Sequence, residues 1–503
     1  MDNGYFNALT APLPEDIEKL KWRGDFRQAA QVIDRRLKKD IPSILRKRLM
    51  LEKEILKRLP GQYPYSWEEA LEILKKNVRD FQDGELTMLW EEDAADWIYV
   101  DGQVRFRSSF LKNVLKTRPE FERRALDPEL VRSKALNVEL LDETIKAMKA
   151  QKSLGYRFRI RGTLSIKEES KKDEGAIRVY LPLPIEYSQI TNTVVHRVLI
   201  GDREAREDEY TIGPADAPQR TICFHTVHRP GQKYTVEYSF ENHMTYRDLS
   251  QCRPGSAPET FPDRRVEREA VEQEAVEQET VEQETMEREC PAGDGEPAPE
   301  DREEQPPHIR FTPLIRELAD ELTAEEKNPL GKARRIYDYI TTHVMYSFVR
   351  SYFTLTDIVQ YAAASQKGDC GVQALMFITL CRAAGIPARW QSGLYATRLE
   401  IGCHDWAQFY VEPYGWLYAD CSFGGAAWRE GRKERWDFYF GNLEPFRMPA
   451  AREFAGSFEP PMKHLRNDPY DNQMGEAEYG DRSLLEEEYS TEYEMIQLVP
   501  LTY

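Results

Sequence analysis

The segment Lys367–Trp390, "KGDCGVQALMFITLCRAAGIPARW", sets one cysteine directly before an apolar helical pattern. Gly368 allows unusual backbone angles, Asp369 can cap a helix, and apolar residues then recur at helical spacing. We therefore expect a tight turn and a helix that begins near Cys370. An unreactive thiol usually packs inside the apolar stripe, as we expect for Cys381, whereas the thiol of Cys370 would lie at the positive end of the helix.

The helix dipole alone does not make this cysteine reactive. It stabilises an anion by about 0.3–1 kcal/mol, whereas each pKa unit corresponds to about 1.4 kcal/mol. A thiol with an ordinary pKa therefore needs a cation beside it to ionise below neutral pH. Judged alone, a cysteine at a helix start is more often an ordinary packed residue.

A cation and a carboxylate occur together downstream. His404 opens the segment "HDWAQFYVEPYGWLYAD", and Asp420 ends it. Two antiparallel strands joined by the turn "EPYG" would return Asp420 to the side of His404. With Cys370 at the same end of the sheet, the three would form a triad in which imidazolium stabilises thiolate and carboxylate orients the imidazole. Singly, such a histidine and aspartate are more often exposed or capping residues, and only their joint spacing favours one site.

Together with "ARRIYDYITTHVMYS" upstream, these segments resemble the core of the transglutaminase-like superfamily in its bacterial form, over about residues 310–445. The resemblance implies a papain-like α+β core with Cys370 as nucleophile, His404 as base and Asp420 as orienting acid. A β-sandwich commonly precedes such cores. The calcium-dependent animal enzymes carry further β-barrels after the core that have no counterpart here, so calcium activation is not expected, and we predict no metal and no cofactor.

The resemblance also implies an upstream aromatic residue in the oxyanion hole. Tyr346 is the candidate, and a core aromatic at a helix exit is the alternative for the same residue. A second donor would be the backbone N–H of Cys370.

The chain as a whole divides into five predicted regions, of the α+β class. Residues 1–150 are helical in pattern, and residues 151–250 alternate as strands that predict a β-sandwich domain. Residues 251–307 contain the repeat "VEREAVEQEAVEQETVEQETMEREC", whose five-residue period cannot keep one helical face, and predict a disordered acidic linker. Residues 308–448 are the catalytic core, and residues 449–503 are predicted to be an acidic C-terminal tail.

The amino-acid composition limits which cellular compartment and which kinds of partner we expect for this protein. Of the net charge of −18 over 503 residues, the segment 251–307 supplies −12, from 18 acids and 6 arginines, which argues against nucleic-acid binding. The seven cysteines are scattered without a CxxC pair, which argues against a disulfide framework and favours a reducing compartment. We find neither an apolar leader nor a membrane-spanning stretch, and so expect a cytoplasmic protein.

The leading functional hypothesis is a thiol acyl-transfer enzyme that acts on amide bonds of a protein or peptide through a cysteine thioester. Hydrolysis, by a protease or deamidase, is favoured over transglutaminase cross-linking, because cross-linking needs a second groove that keeps water from the thioester. The predicted tail is too polar to build such a wall. A non-catalytic peptide-binding protein is the alternative from another class. The sequence does not specify the substrate, the acyl acceptor, the oligomeric state or the role of residues 1–150.

Overall fold

A computed structural model describes residues 3–167, 175–249 and 295–501. Residues 251–294 of the predicted acidic linker, with its repeat, lie outside this described part. The first region of the chain is helical, with one hairpin that the sequence pattern did not predict. Its helices are α1 (Glu15–Trp22), α2 (Phe26–Leu37), α3 (Ser43–Arg58), α4 (Trp67–Asn77), α5 (Asp83–Glu91), α6 (Phe110–Thr117), α7 (Pro119–Glu122) and α8 (Pro128–Gln151). The hairpin pairs β1 (Trp97–Val100) with β2 (Gln103–Phe106).

Seven strands follow α8. They are β3 (Ser153–Ile166), β4 (Gly175–Pro182), β5 (Ile190–Ile200), β6 (Arg203–Glu204), β7 (Tyr210–Ile212), β8 (Thr221–His228) and β9 (Lys233–Thr245). They belong to two antiparallel sheets, which place apolar side chains such as Ile160 of β3 and Phe224 of β8 in one hydrophobic cluster. The alternation of buried and partly exposed residues along β3 fits a strand with one face on this core.

The region after these strands forms the core of the molecule. Its helices are α9 (Pro313–Thr323), α10 (Pro329–His343), α11 (Ile358–Ser365), α12 (Cys370–Ala383), α13 (Cys421–Arg429) and α14 (Lys433–Phe438). Its strands are β10 (Met345–Tyr346), β11 (Lys367–Gly368), β12 (Ala388–Ala396), β13 (Ile401–Val411), β14 (Gly415–Ala419), β15 (Phe440–Gly441) and β16 (Arg447–Ala451). Five of these strands form an antiparallel sheet in the order β15-β14-β13-β12-β16.

Helix α12 is the centre of this core. Residues 371–382 of the helix are all buried, which matches a segment that is apolar on every side. The helix lies against the five-stranded sheet, where the rings of Phe377 and Phe409 are 5.5 Å apart. The thiol-bearing end of α12 is therefore held at a fixed position relative to β13.

The predicted C-terminal tail is wrong, because residues 449–503 contain two paired strands. They are β17 (Glu476–Tyr479), which pairs with β4, and β18 (Tyr489–Pro500), which pairs with β3. The sheets before the core are therefore β18-β3-β9-β5-β6 and β17-β4-β8-β7. Acidic residues of this region have cationic partners, as in the ion pair of Glu494 with Arg161 at 2.8 Å, so the acidity of the sequence does not prevent packing.

The predicted linker also ends earlier than expected. Trp416 donates from Nε1 to the carbonyl of Gly295 at 3.0 Å, and Arg382 donates to the carbonyl of Glu303 at 2.8 Å. Residues 295–307 are therefore packed against the core. None of the helices in the described ranges is both long and apolar enough to cross a membrane.

Candidate active site

The turn before α12 is built from a glycine and a capping aspartate. A Cβ added to Gly368 would lie 2.3 Å from Cγ1 of Val372, so only glycine fits at this position. Asp369 is the N-cap of α12, and its carboxylate accepts hydrogen bonds from the backbone N–H of Val372 at 3.3 Å and from the hydroxyl of Tyr352 at 2.5 Å. The predicted turn and the helix start at Cys370 are confirmed.

The hairpin of β13 and β14 brings His404 and Asp420 together as predicted. Nε2 of His404 lies 2.7 Å from Oδ2 of Asp420, and Arg447 donates to the same oxygen at 2.8 Å. The other oxygen of Asp420 accepts the backbone N–H of Phe423 at 2.9 Å, which caps α13. Burial opposes the ionisation of Asp420, but His404 and Arg447 outweigh it and lower the pKa of this carboxyl far below its ordinary value.

The positive charge of Arg447 is compensated by a second acid, Glu444, in addition to Asp420. Its guanidinium donates to both oxygens of Glu444, at 2.6 and 3.1 Å, and the side chains of both residues are fully buried. His404, Asp420, Arg447 and Glu444 thus form a continuous buried set of charged and polar groups. Nδ1 of His404 has no hydrogen bond to any described residue.

The thiol of Cys370 has a different partner from the one predicted. Its Sγ donates to Oδ2 of Asp405 at 3.2 Å, and within the described residues no hydrogen bond joins Cys370 to His404. The reason is strand alternation, because His404 and Asp405 are adjacent in β13 and project from opposite faces. Asp405 shares its face with Phe409, which contacts α12. The described geometry therefore does not link the three predicted residues in one hydrogen-bonded chain.

This environment opposes the predicted thiolate. Burial raises the pKa of Cys370 well above its ordinary value, and the carboxyls of Asp405 and Asp369 add to the rise. The expected cation is absent from the contacts of the thiol in the described part of the chain. In this arrangement Cys370 is a neutral thiol that donates a hydrogen bond.

The C-terminal region supplies further groups beside Asp405. Gln473 donates from Nε2 to Oδ1 of Asp405 at 2.5 Å, and a hydrogen bond links Asp405 to Asp471. Burial raises the pKa of both carboxyls. The charges of Asp468 and Asp405 add to the rise at Asp471, whereas the hydrogen bond with Asp471 limits the rise at Asp405, so we infer that the pair holds a shared proton. Sequence reasoning missed all three residues. The only available signal was the acid directly after His404.

Tyr346 lies beside the nucleophile candidate, as the oxyanion-hole expectation requires. Strand β10 runs parallel to β11, and its register places Tyr346 opposite Gly368, two residues before Cys370. Burial raises the pKa of the Tyr346 hydroxyl well above its ordinary value, and the nearby thiol of Cys370 adds to the rise. Lys116 of α6 lies 4.3 Å from the centre of the Tyr346 ring, so the N-terminal region contacts the same residue. Among the described residues, no three His, Cys, Asp or Glu side chains are grouped so as to hold a metal ion.

Comparison with known proteins identifies the region around this site. Residues 316–421 match the model of the transglutaminase-like superfamily, which confirms the resemblance for that part of the chain. An uncharacterized protein of Haemophilus influenzae is 26% identical over 137 residues, which cover 23% of this chain and 37% of that relative. The chain thus matches little more than a third of the relative's length.

Two solved structures are similar to this chain at a lower sequence identity. The "putative cysteine protease" of Cytophaga hutchinsonii has 13% identity and a TM-score of 0.36, over 69% of this chain and 91% of the other. The periplasmic domain of TgpA from Pseudomonas aeruginosa has 13% identity and a TM-score of 0.26, over 55% and 91%. Similarity at this level supports no statement about the activity or the substrate of this chain.

Proposed function

We propose that this protein is a thiol acyl-transfer enzyme whose nucleophile is Cys370 and which acts on amide bonds of a protein or peptide. One observation supports this above the others. The partly exposed thiol at the start of α12 contacts Asp405, and the next residue along β13 is His404, which is already paired with Asp420. A nucleophile, a base and an orienting acid are thus concentrated at one end of one sheet, within a region that matches the transglutaminase-like family.

The proposed reaction begins when Cys370 leaves Asp405 and β13 rearranges so that Nδ1 of His404, which projects from the other face of the strand, comes within hydrogen-bond distance of Sγ. The thiol proton passes to Nδ1, and Sγ attacks the amide carbonyl carbon. Tyr346 and the backbone N–H of Cys370 stabilise the oxyanion. The imidazolium then gives its proton to the leaving nitrogen, and a thioester remains on Cys370. Asp420 keeps the imidazole oriented throughout and stabilises its charged form.

Water is the proposed acceptor for this thioester, so the favoured outcome is hydrolysis. The groups contributed by the C-terminal region near the thiol are polar, namely Asp471 and Gln473. They do not supply an apolar wall of the kind that excludes water from a thioester, and transfer to an amine requires that exclusion. Cross-linking by a true transglutaminase is the alternative outcome of the same chemistry.

The test uses a generic acyl donor, p-nitrophenyl acetate, and intact-mass detection of the acetyl-enzyme. We expect acetylation of Cys370 in the wild type, none at this residue in Cys370→Ala, and rates reduced by about 10²–10⁴ in His404→Ala. Asp420→Asn should retain more activity than His404→Ala. Methylamine titrated against water then reports the acceptor. Predominant amide product at low amine concentration would replace hydrolysis with cross-linking.

A second candidate function, non-catalytic peptide binding, is favoured by one specific observation. The thiol is held neutral by Asp405, and its pKa is raised rather than lowered. If p-nitrophenyl acetate acetylates Cys370 of the wild type no faster than the exposed Cys403, the enzyme assignment fails and the binding function is favoured.

The surrounding architecture supports one further proposal. We infer that the two sheets flanking the core in sequence form the β-sandwich that commonly accompanies such cores, since they share one hydrophobic cluster. The helices of residues 15–151 then pack as a separate layer against the core, through contacts such as Asn113 with the backbone of Phe348 at 2.8 and 2.9 Å.

A further inference from the structure

A cavity lies where the N-terminal helices meet the core, and its lining residues differ from those around the thiol. Its volume is about 560 Å³, within the range of small-molecule sites. Its walls come from the start of the chain, α1, the start of α2, the hairpin strand β1 and the loop around residues 350–356. Its lining residues include Lys21, Trp22, Arg48, Trp97 and Arg350.

The lining of this cavity carries four basic residues, Lys21, Arg48, Arg310 and Arg350, against two acids, Glu18 and Asp93. Lys21 and Arg48 share the single carboxylate of Glu52, at 2.7 and 2.6 Å, and that carboxylate is completely buried. Arg350 lines the same cavity and, within the described residues, makes neither a hydrogen bond nor an ion pair. Its Nε is buried without a partner. Lys21 and Arg48 therefore share one acid, and Arg350 has no acid of its own among the described residues. The other two acids of the lining are Asp93, which pairs with Lys367 at 3.6 Å, and Glu18.

Two observations support this charge imbalance. Burial lowers the pKa of Lys21 although Glu52 opposes the change, and the charges of Arg350 and Arg48 lower it further. Asp96 lies near enough to interact with Arg350 electrostatically, but it accepts a hydrogen bond from Tyr63 at 3.0 Å and pairs with another arginine. Arg350 is thus left with an open position for an anion.

Several other lining residues of the cavity are apolar or aromatic. Trp22 is 71% exposed although it is a large hydrophobic side chain, and it lines the cavity together with Phe26, Trp97 and Ile98. An exposed tryptophan beside a cleft is typical of a surface that binds a ring or an alkyl group. The cavity therefore offers both apolar and cationic side chains to one ligand.

We propose that this cavity binds a small organic anion, in which a carboxylate or phosphate is attached to an aromatic or alkyl group. The anionic group lies against Arg350, which can donate two parallel hydrogen bonds to either oxyanion. The apolar part contacts Trp22 and Trp97. This site does not depend on the chemistry of Cys370.

The proposal is tested by calorimetric titration of the full chain with two probes, phenyl phosphate and 3-phenylpropionate, which distinguish the two anions. Inorganic phosphate and benzyl alcohol, each carrying only half of the proposed ligand, should bind at least about tenfold more weakly than the better probe. Arg350→Gln should weaken that probe by about tenfold or more, and Arg350→Lys should weaken it less. Trp22→Ala should weaken both probes. Arg206→Gln, at an exposed arginine distant in the fold, is the matched control and should bind as the wild type does.

Melting temperatures establish that each variant is folded, and Trp22→Ala removes an exposed side chain, so it tests the site without threatening the core. Failure of both probes to bind the wild type overturns the proposal. So does equal affinity in the wild type and in Arg350→Gln. Because the readout is binding, Cys370→Ala should bind both probes normally, and an inactive thiol would leave this result unchanged.

Discussion

Replacement of Asp405 by asparagine tests the central electrostatic feature of the site. Asp405→Asn keeps the shape of the side chain and removes its charge. The thiol sulfur and the carboxylate oxygen are 3.2 Å apart. Two full charges at this distance and an effective dielectric constant of about 20 repel each other by about 5 kcal/mol, which is a ceiling of about 4 pKa units. Because Asp405 and Asp471 share a proton, we expect a smaller fall in the thiol pKa, of about 1–2 units.

The assay is the rate of iodoacetamide modification of Cys370 as a function of pH, followed by peptide mass spectrometry. A fall of about one unit raises the thiolate fraction near neutral pH about tenfold. Cys370→Ala identifies the labelled peptide, and Asp208→Asn, at an exposed aspartate on the sheets before the core, is the matched control. An unchanged pH profile in Asp405→Asn would refute the inference that this carboxyl holds the thiol neutral.

Three other predictions follow from the same region. Asp420→Asn should lower the free energy of unfolding by about 3–5 kcal/mol in urea titration, because it leaves buried positive groups without their carboxylate, and a loss below about 1 kcal/mol would contradict this account. Gln473→Ala should cost about 1–3 kcal/mol through its lost bond to Asp405, and a neutral effect would mean that this bond contributes nothing. The raised pKa values of Asp405, Asp471 and Glu476 (about 7 for Glu476) mean that the folded state binds more protons than the unfolded chain, so these groups make the protein more stable near pH 5.5 than near pH 8. Urea titrations at the two pH values measure the difference, and Asp471→Asn should reduce it.

The parts of the site that sequence predicts are those set by local geometry. The capping of α12 by Asp369 depends on neighbouring residues, and the return of Asp420 to His404 depends on one short hairpin. The face of β13 that meets α12 depends on how a helix packs on a sheet, which strand alternation alone does not decide. The sequence therefore placed His404 at the thiol, where the structure places Asp405.

The C-terminal strands were missed for a related reason. The segment "YSTEYEMIQLVP" has the alternation of a half-buried strand, but its overall acidity suggested an unpacked tail. Its partner β3 lies more than half the chain away, and no local pattern specifies such a pairing. Gln473 and Asp471 reach Asp405, the partner of the thiol, from a region that β17 and β18 anchor to the sheets.

The pairing of Ile166 with Tyr489 bears on how the protein is made. During synthesis β3 and β4 leave the ribosome long before β17 and β18, so the edges that these late strands will cover remain open while the whole core is translated. Open strand edges are sites of intermolecular association, and we expect a nascent chain of this protein to depend on shielding until its last strands emerge. The groups around Cys370 are completed in the same late step, so the thiol acquires its full surroundings only when the final strands are in place.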